Sequence, residues 1–130
     1  MPLQLGAWNM NLNGMQVPFS IDGIDASGRV LGKLMLPAYQ PNIKGFWDET
    51  SQELSFAPFF MGGPNADVMP FLFKGYLFGT PQVPQPGQDV LWTLAGTYQS
   101  LDLDQTYPEF GKANGRRNIF GWVAQITVIT

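Results

Sequence analysis

Gly6-Ala7-Trp8-Asn9-Met10-Asn11-Leu12-Asn13-Gly14-Met15-Gln16-Val17-Pro18-Phe19-Ser20-Ile21 decides the fold. Within it Trp8, Met10 and Leu12 alternate with Ala7, Asn9 and Asn11. A period of two belongs to a strand with one buried face, so the Trp8 set is expected to point inward. Asn13-Gly14 then interrupts, and an apolar run resumes at Met15. Asn-Gly between two such runs is the strongest short-range hairpin signal, because a two-residue turn that matches strand twist needs positive φ at both positions.

The same grammar repeats along the chain. Short apolar, β-branched and aromatic runs fall at 3–12, 15–21, 29–36, 43–48, 54–60, 69–80, 89–100 and 118–130, bounded by Gly, Pro, Asn and Asp. No helix-length segment carries a 3.6-residue period. Connections this short favour antiparallel neighbours and a meander. Eight is also the strand number that closes a small barrel around side chains or one ligand. Gly6, Pro18, Gly32, Gly45, Pro58, Gly75, Gly96 and Gly121 each fall inside a run. Such residues weaken a flat strand but suit a sheet that must coil sharply. The expected fold is all-β, an eight-stranded antiparallel up-and-down barrel in one domain over residues 1–130, with a β-sandwich as the alternative.

Composition bounds the chemistry. The chain has 130 residues, 45% of them hydrophobic and only 13% charged, with 15 Gly and 11 Pro. A domain of this size buries roughly two-thirds of its unfolded surface and needs no covalent staple. Cys and His are both absent. That excludes disulfides, cysteine nucleophiles, Cys/His zinc sites and histidine general bases. The net charge is −3, and no basic stripe is present, which argues against nucleic acid and anionic membranes as partners. No apolar run approaches the roughly 18 residues of a spanning helix. The first residues carry no signal-peptide pattern, so cytoplasm is the default compartment. A trimmed export signal would leave no trace, so a secreted mature form stays open.

Phe71-Leu72-Phe73-Lys74-Gly75-Tyr76-Leu77-Phe78 is greasy on both faces, as are Ile119-Phe120-Gly121-Trp122-Val123-Ala124 and Ile126-Thr127-Val128-Ile129. Something is expected to cover the outward faces of the sixth and eighth strands, and a homo-oligomer is the economical answer. Lipid-facing rows of an outer-membrane barrel are the other source of two-sided strands, but outward Asn9 and Asn11 do not suit lipid. In a meander the loops 13–14, 37–42, 61–68 and 101–117 share one end. That end holds the longest loop and is expected to be the mouth, with Tyr39, Asp67, Asp102, Asp104, Tyr107, Lys112, Arg116 and Arg117 as its polar inventory.

Gly6-Ala7-Trp8 resembles the Gly-x-Trp signature of the calycins: the lipocalins, fatty-acid-binding proteins and avidins. Residues 6–36, about a quarter of the chain, look most like avidin, with Gly-x-Trp, Asn-rich positions, a hairpin and then Gly28-Arg29-Val30-Leu31-Gly32. The resemblance implies a small barrel with a ligand in its lumen. Leu34 and Leu36 stand about where avidins carry their biotin-bonding Tyr and Ser, so biotin is not implied. A second likeness, to a loose set of uncharacterised bacterial proteins, rests on 45–52, 75–78, 94–96 and 120–126 and brings no function with it.

Several groups carry possible chemistry. Lys74 sits inside an apolar run; buried, it would be a base or a partner for a ligand carboxylate, and outward it would pair with Asp48 or Glu49. Asp48 and Glu49 are adjacent and point to opposite faces, so they do not form a paired-acid site. Trp8, Trp47, Trp92 and Trp122 suit either aromatic walls for a ligand or a packed core. Arg116 and Arg117 would clamp an anionic head group at the mouth, or balance Asp102, Asp104 and Glu109. Gly62-Gly63-Pro64-Asn65 lacks the Lys-Ser/Thr of a phosphate loop and reads as a turn. Asp67, Asp102 and Asp104 lack EF-hand spacing, so no metal is expected, and no cofactor.

The leading expectation is a non-enzymatic binding protein with a small apolar or amphipathic molecule in the barrel. Its ligand-binding residues would be Trp8, Met10, Phe56, Trp92 and Tyr98 on the lining, Lys74 or Tyr76 as polar contact, and Arg116 and Arg117 at the mouth. The alternative is an oligomeric structural or interaction protein whose barrel is filled by its own side chains. A small barrel cyclase or isomerase and a lectin remain as further alternatives.

Overall fold

The computed structural model describes residues 2–37, 40–59, 71–78, 87, 89–104 and 114–129, with the main chain alone for 100–104, 114–118 and 129. Tyr39, Asp67, Tyr107 and Lys112 of the expected mouth, and the turn at 62–65, lie outside the described residues. Eight strands follow in order: β1 (Gly6–Leu12), β2 (Met15–Ile24), β3 (Arg29–Leu34), β4 (Asn42–Asp48), β5 (Glu53–Phe59), β6 (Phe71–Phe78), β7 (Asp89–Asp104) and β8 (Asn114–Ile129). Each pairs antiparallel with the next, and β8 returns to β1, so the sheet is a closed up-and-down barrel. The closing seam runs from Asn9 opposite Gln125 to Leu12 opposite Trp122. A sandwich would leave two sheets with edges; this seam joins them into one. Among the described residues there is no helix.

The first hairpin forms for the reason its sequence gives. Asn13 and Gly14 both take positive φ, 47° and 91°, and the Asn11 side chain accepts a hydrogen bond from the Gly14 N–H at 2.8 Å. Trp8, Met10 and Leu12 are buried, and Ala7 and Asn9 are exposed. In β6 the two greasy faces separate cleanly. Phe73, Gly75 and Leu77 face in; Leu72, Lys74, Tyr76 and Phe78 face out.

The strands also show where the glycines are needed. Gly75, Gly96 and Trp122 are cross-strand neighbours on one inward row. The two glycines leave a slot in which the Trp122 indole lies: a Cβ on Gly75 would meet that ring at 2.5 Å. Trp122 Nε1 donates to the Thr97 carbonyl at 3.0 Å, so its one polar atom is satisfied.

β2 carries a register shift between Ile21, opposite Gly32, and Gly23, opposite Leu31. The extra residue flips the parity, so Gly23 shares the outer row with Leu31. The turn after β2 is built on Asp25. Its carboxylate accepts from the Ser27 and Arg29 N–H groups at 2.8 and 2.9 Å, and from Arg29 Nε at 2.7 Å. Near the start of β1, Leu3 is buried in the core, and Trp8 Nε1 donates to the Gln4 carbonyl at 3.1 Å.

One expectation is corrected. Residues 101–117 are not one long loop: 101–104 and 114–117 are strand, and Asp102 stands opposite Arg116 and Leu101 opposite Arg117. Among the described residues β6 pairs with β7 only up to Phe71 opposite Ser100, and β1 pairs with β8 only up to Trp122. Among those residues the far ends of β7 and β8 therefore form a two-stranded ribbon beyond the eight-stranded wall.

Candidate functional site

The barrel interior is the first place to look for a ligand, and rings occupy it. Trp8 and Phe19 have centroids 6.0 Å apart, Phe19 and Phe56 5.8 Å, Phe56 and Phe73 4.6 Å, Phe73 and Tyr98 4.9 Å, and Tyr98 and Phe120 5.2 Å. Trp122 meets Phe56 and Phe73 edge-on at 5.9 and 6.2 Å. Offset stacks and edge contacts at these spacings are favourable ring geometries. The column joins side chains from β1, β2, β5, β6, β7 and β8: most links run between adjacent strands along the wall, and Phe19 with Phe56 and Phe56 with Trp122 span the lumen.

The residues named from sequence separate into three groups. Trp8, Met10 and Phe56 are fully buried in the core, and Trp92 and Tyr98 are partly buried against it. Burial raises the Tyr98 hydroxyl above its usual pKa, because the phenolate is harder to solvate there. Lys74 and Tyr76 face outward, on the side opposite Phe73 and Leu77, and so are not contacts in the lumen. Lys74 Nζ lies 3.6 Å from Glu53 Oε2, an exposed pair across β5 and β6, and neither Asp48 nor Glu49 is its partner. Arg116 and Arg117 stand on the β7–β8 ribbon in register with Asp102 and Leu101. The interior group, the outer pair and the ribbon pair are not brought together.

The outer wall carries two features. The first is an apolar patch on β6, β7 and β8. Tyr76, Ala95 and Val123 are cross-strand neighbours in one outward row. Phe78, opposite Thr93, extends the patch along β6, and Leu91 extends it along β7. Phe78 is 56% exposed and Leu91 48%.

The second is a groove of about 670 Å³ across β2 to β6. Two outward rows frame it. One runs Gly23, Leu31, Lys44, Ala57 by register, with Leu72 one step beyond the Phe56–Phe73 pair. The other runs Arg29, Phe46, Ser55, with Asp25 hydrogen-bonded to Arg29 at its end. Gly23, Ser55 and Ala57 are small, so the wall is hollow between Leu31, Phe46 and Leu72. Those three large side chains are exposed. Val30 and Phe56 also border the groove, and since both side chains are buried they meet it through the main chain.

Charge on this wall is uneven. Arg29 is held by Asp25 and Lys74 by Glu53. Lys44 and Lys33 have no ion pair among the described residues; Lys44 Nζ lies 4.8 Å from the Phe59 ring centroid.

Sequence reading did not single out Leu31, Lys44, Phe46, Ala57 or Leu72. The signal lay in the alternation itself: Leu31 shares its face with Arg29 and Lys33, and an apolar residue between two charged ones on an outward face has no core to fill.

No protein-family model, no curated protein and no solved structure matches this chain.

Proposed function

We propose that this chain is a non-enzymatic interaction protein that assembles with copies of itself through the outer faces of β6, β7 and β8. The observation that carries the reading is the Tyr76–Ala95–Val123 row with Phe78 and Leu91 beside it. Tyr76, Phe78, Leu91 and Val123 are large, largely apolar and in contact with water. Each would add about 25 cal/mol for every Å² buried against a partner. Ala95 between two larger neighbours gives the patch relief, which suits a self-complementary surface across a two-fold axis.

The ring column supports the same reading. A lumen filled by its own side chains serves as a rigid scaffold whose wall does the work. A small apolar or amphipathic ligand in the lumen, the other expectation, would have to share that space with these rings. A calycin-type relationship is supported by Trp8 in β1 and by the meander closing on eight strands; within such a relationship this barrel would have exchanged a lumen site for wall sites.

Native mass spectrometry on protein purified without denaturation tests the proposal. The expected result is a multimer that Phe78→Glu and Val123→Glu convert to a monomer with an intact fold. A monomeric wild type overturns it. A multimer that both charge substitutions leave intact places assembly elsewhere and overturns it as well.

A further inference from the structure

We propose that the groove across β2 to β6 is a binding site for a free amphipathic anion, a single apolar tail with an acidic head, with Leu31, Phe46, Ala57 and Leu72 holding the tail and Lys44 meeting the head.

The shape comes first. The volume of about 670 Å³ falls within the range of small-molecule sites. The groove crosses four inter-strand steps, hence about 19 Å along the wall at the usual strand spacing. That is a long, narrow site rather than a round one, and it suits an extended tail. Its hollow is fixed by residue size on rigid strands: Gly23, Ser55 and Ala57 stand where larger side chains would fill it. Three exposed apolar side chains beside such a hollow offer apolar surface that a thin ligand would take out of water.

The charge comes second. The chain has seven cationic residues and a net charge of −3. Arg29, Lys33, Lys44 and Lys74 all stand on the β3–β6 wall. Asp25 and Glu53 occupy Arg29 and Lys74, which leaves Lys33 and Lys44 as the cations of this wall without an ion pair among the described residues. Asp22, in the register shift of β2, is next to Gly23 in sequence, and Asp48, at the end of β4, is two residues past Phe46. Lys44 lies within the groove between Leu31 and Ala57. Its contact with Phe59 is a weak exposed one, so the ammonium is free to turn to an acid head. Arg29 supports it from the other row. Its ion pair with Asp25 uses Nε, and the two terminal amino groups of a guanidinium remain as donors.

The site and the assembly patch share the outward row of β6, where Leu72 borders the groove and Tyr76 and Phe78 belong to the patch, but Lys44 and Ala57 stand on β4 and β5, away from the patch. The experiment uses the full chain and 1-anilinonaphthalene-8-sulfonate as a fluorescent probe. Dodecanoate below its micelle concentration is the competitor, and dodecyltrimethylammonium is its cationic counterpart. The expected result is one saturable probe site, displaced by dodecanoate and not by the ammonium. Lys44→Glu weakens dodecanoate by roughly tenfold or more, as the loss of a charge-assisted contact predicts. Ala57→Phe, which fills the floor of the hollow from the solvent side, abolishes displacement. Both positions point outward, so an unchanged melting temperature certifies the fold. Equal displacement by the cation, or full affinity in Lys44→Glu or Ala57→Phe, overturns the proposal. So does probe displacement by vesicles of an anionic phospholipid but not by free dodecanoate, which would make this wall a membrane contact. A monomer that still binds dodecanoate sinks the assembly reading alone, and a multimer that does not bind it sinks this one alone.

Discussion

Gly75 has no side chain because Trp122 lies where one would be. The indole is flat and stiff, and Phe56 and Phe73 meet it edge-on, so it has little room to withdraw. Gly75→Ala is therefore expected to destabilise the barrel by about 1–3 kcal/mol, the usual range for overpacking. Urea titration followed by tryptophan emission measures it, and a neutral result would mean that Trp122 is loosely held. Residue-scale features were unevenly legible in the sequence. The burial of Trp8, Met10 and Leu12 followed from alternation alone, because a strand has only two faces. For Lys74 and Tyr76 the parity was ambiguous, since both faces of that run were apolar. Only the pairing partners settled it: Phe56 opposite Phe73 turns Lys74 outward, beside Ser55.

At the scale of elements, the turn after β2 depends on one carboxylate. Hydrogen bonding from the Arg29 main chain, with further help from the Arg29 side chain and Ser27, holds the Asp25 carboxyl below its ordinary value of 3.8. A depressed folded-state value means that the ionised form stabilises the fold. That contribution is complete above the ordinary value and is lost as pH falls through the lower, folded-state value. The melting temperature is thus expected to drop below about pH 3.8, and Asp25→Asn should flatten that part of the profile. Scanning calorimetry from pH 7 to strong acid checks both arms. The β7–β8 ribbon makes a different prediction. Residues 101–104 and 114–117 pair only with each other among the described residues, while β7 from Thr93 to Gln99 is bonded on both sides. Amide exchange should therefore be faster in the ribbon by orders of magnitude, and equal protection would show a further partner. The ribbon was hidden from sequence by composition. Leu101-Asp102-Leu103-Asp104 alternates as a strand does, yet Asp is depleted in strands, and the cross-strand match of Asp102 with Arg116 is a long-range fact. The outer groove was hidden similarly, since Leu31, Lys44, Ala57 and Leu72 become neighbours only when register is known.

For the whole molecule, the eight punctuated runs sufficed to read a closed meander, because short connections leave adjacent antiparallel pairing as the simplest order. What fills a barrel is not written so locally. Phe19 and Phe56 stack face to face from strands that are not neighbours in the sheet. Assembly through the β6–β8 wall has a thermodynamic signature. A folded chain that binds its own copies is stabilised by mass action. The wild type is expected to melt at a temperature that rises with protein concentration, and Phe78→Glu at one that does not. Light-scattering-controlled thermal melts over a hundredfold range, on the order used for such linkage, decide it. The ring column has an optical consequence. Its members come from six strands and sit in one fixed, chiral order, so their ultraviolet transitions couple through space. Separating β1 from β2, β5 from β6, β6 from β7 or β7 from β8 breaks the series, even with the other backbone ladders kept. Near-ultraviolet circular dichroism of this chain is accordingly a gauge of how these strands hold their rings together, while far-ultraviolet bands report the backbone alone.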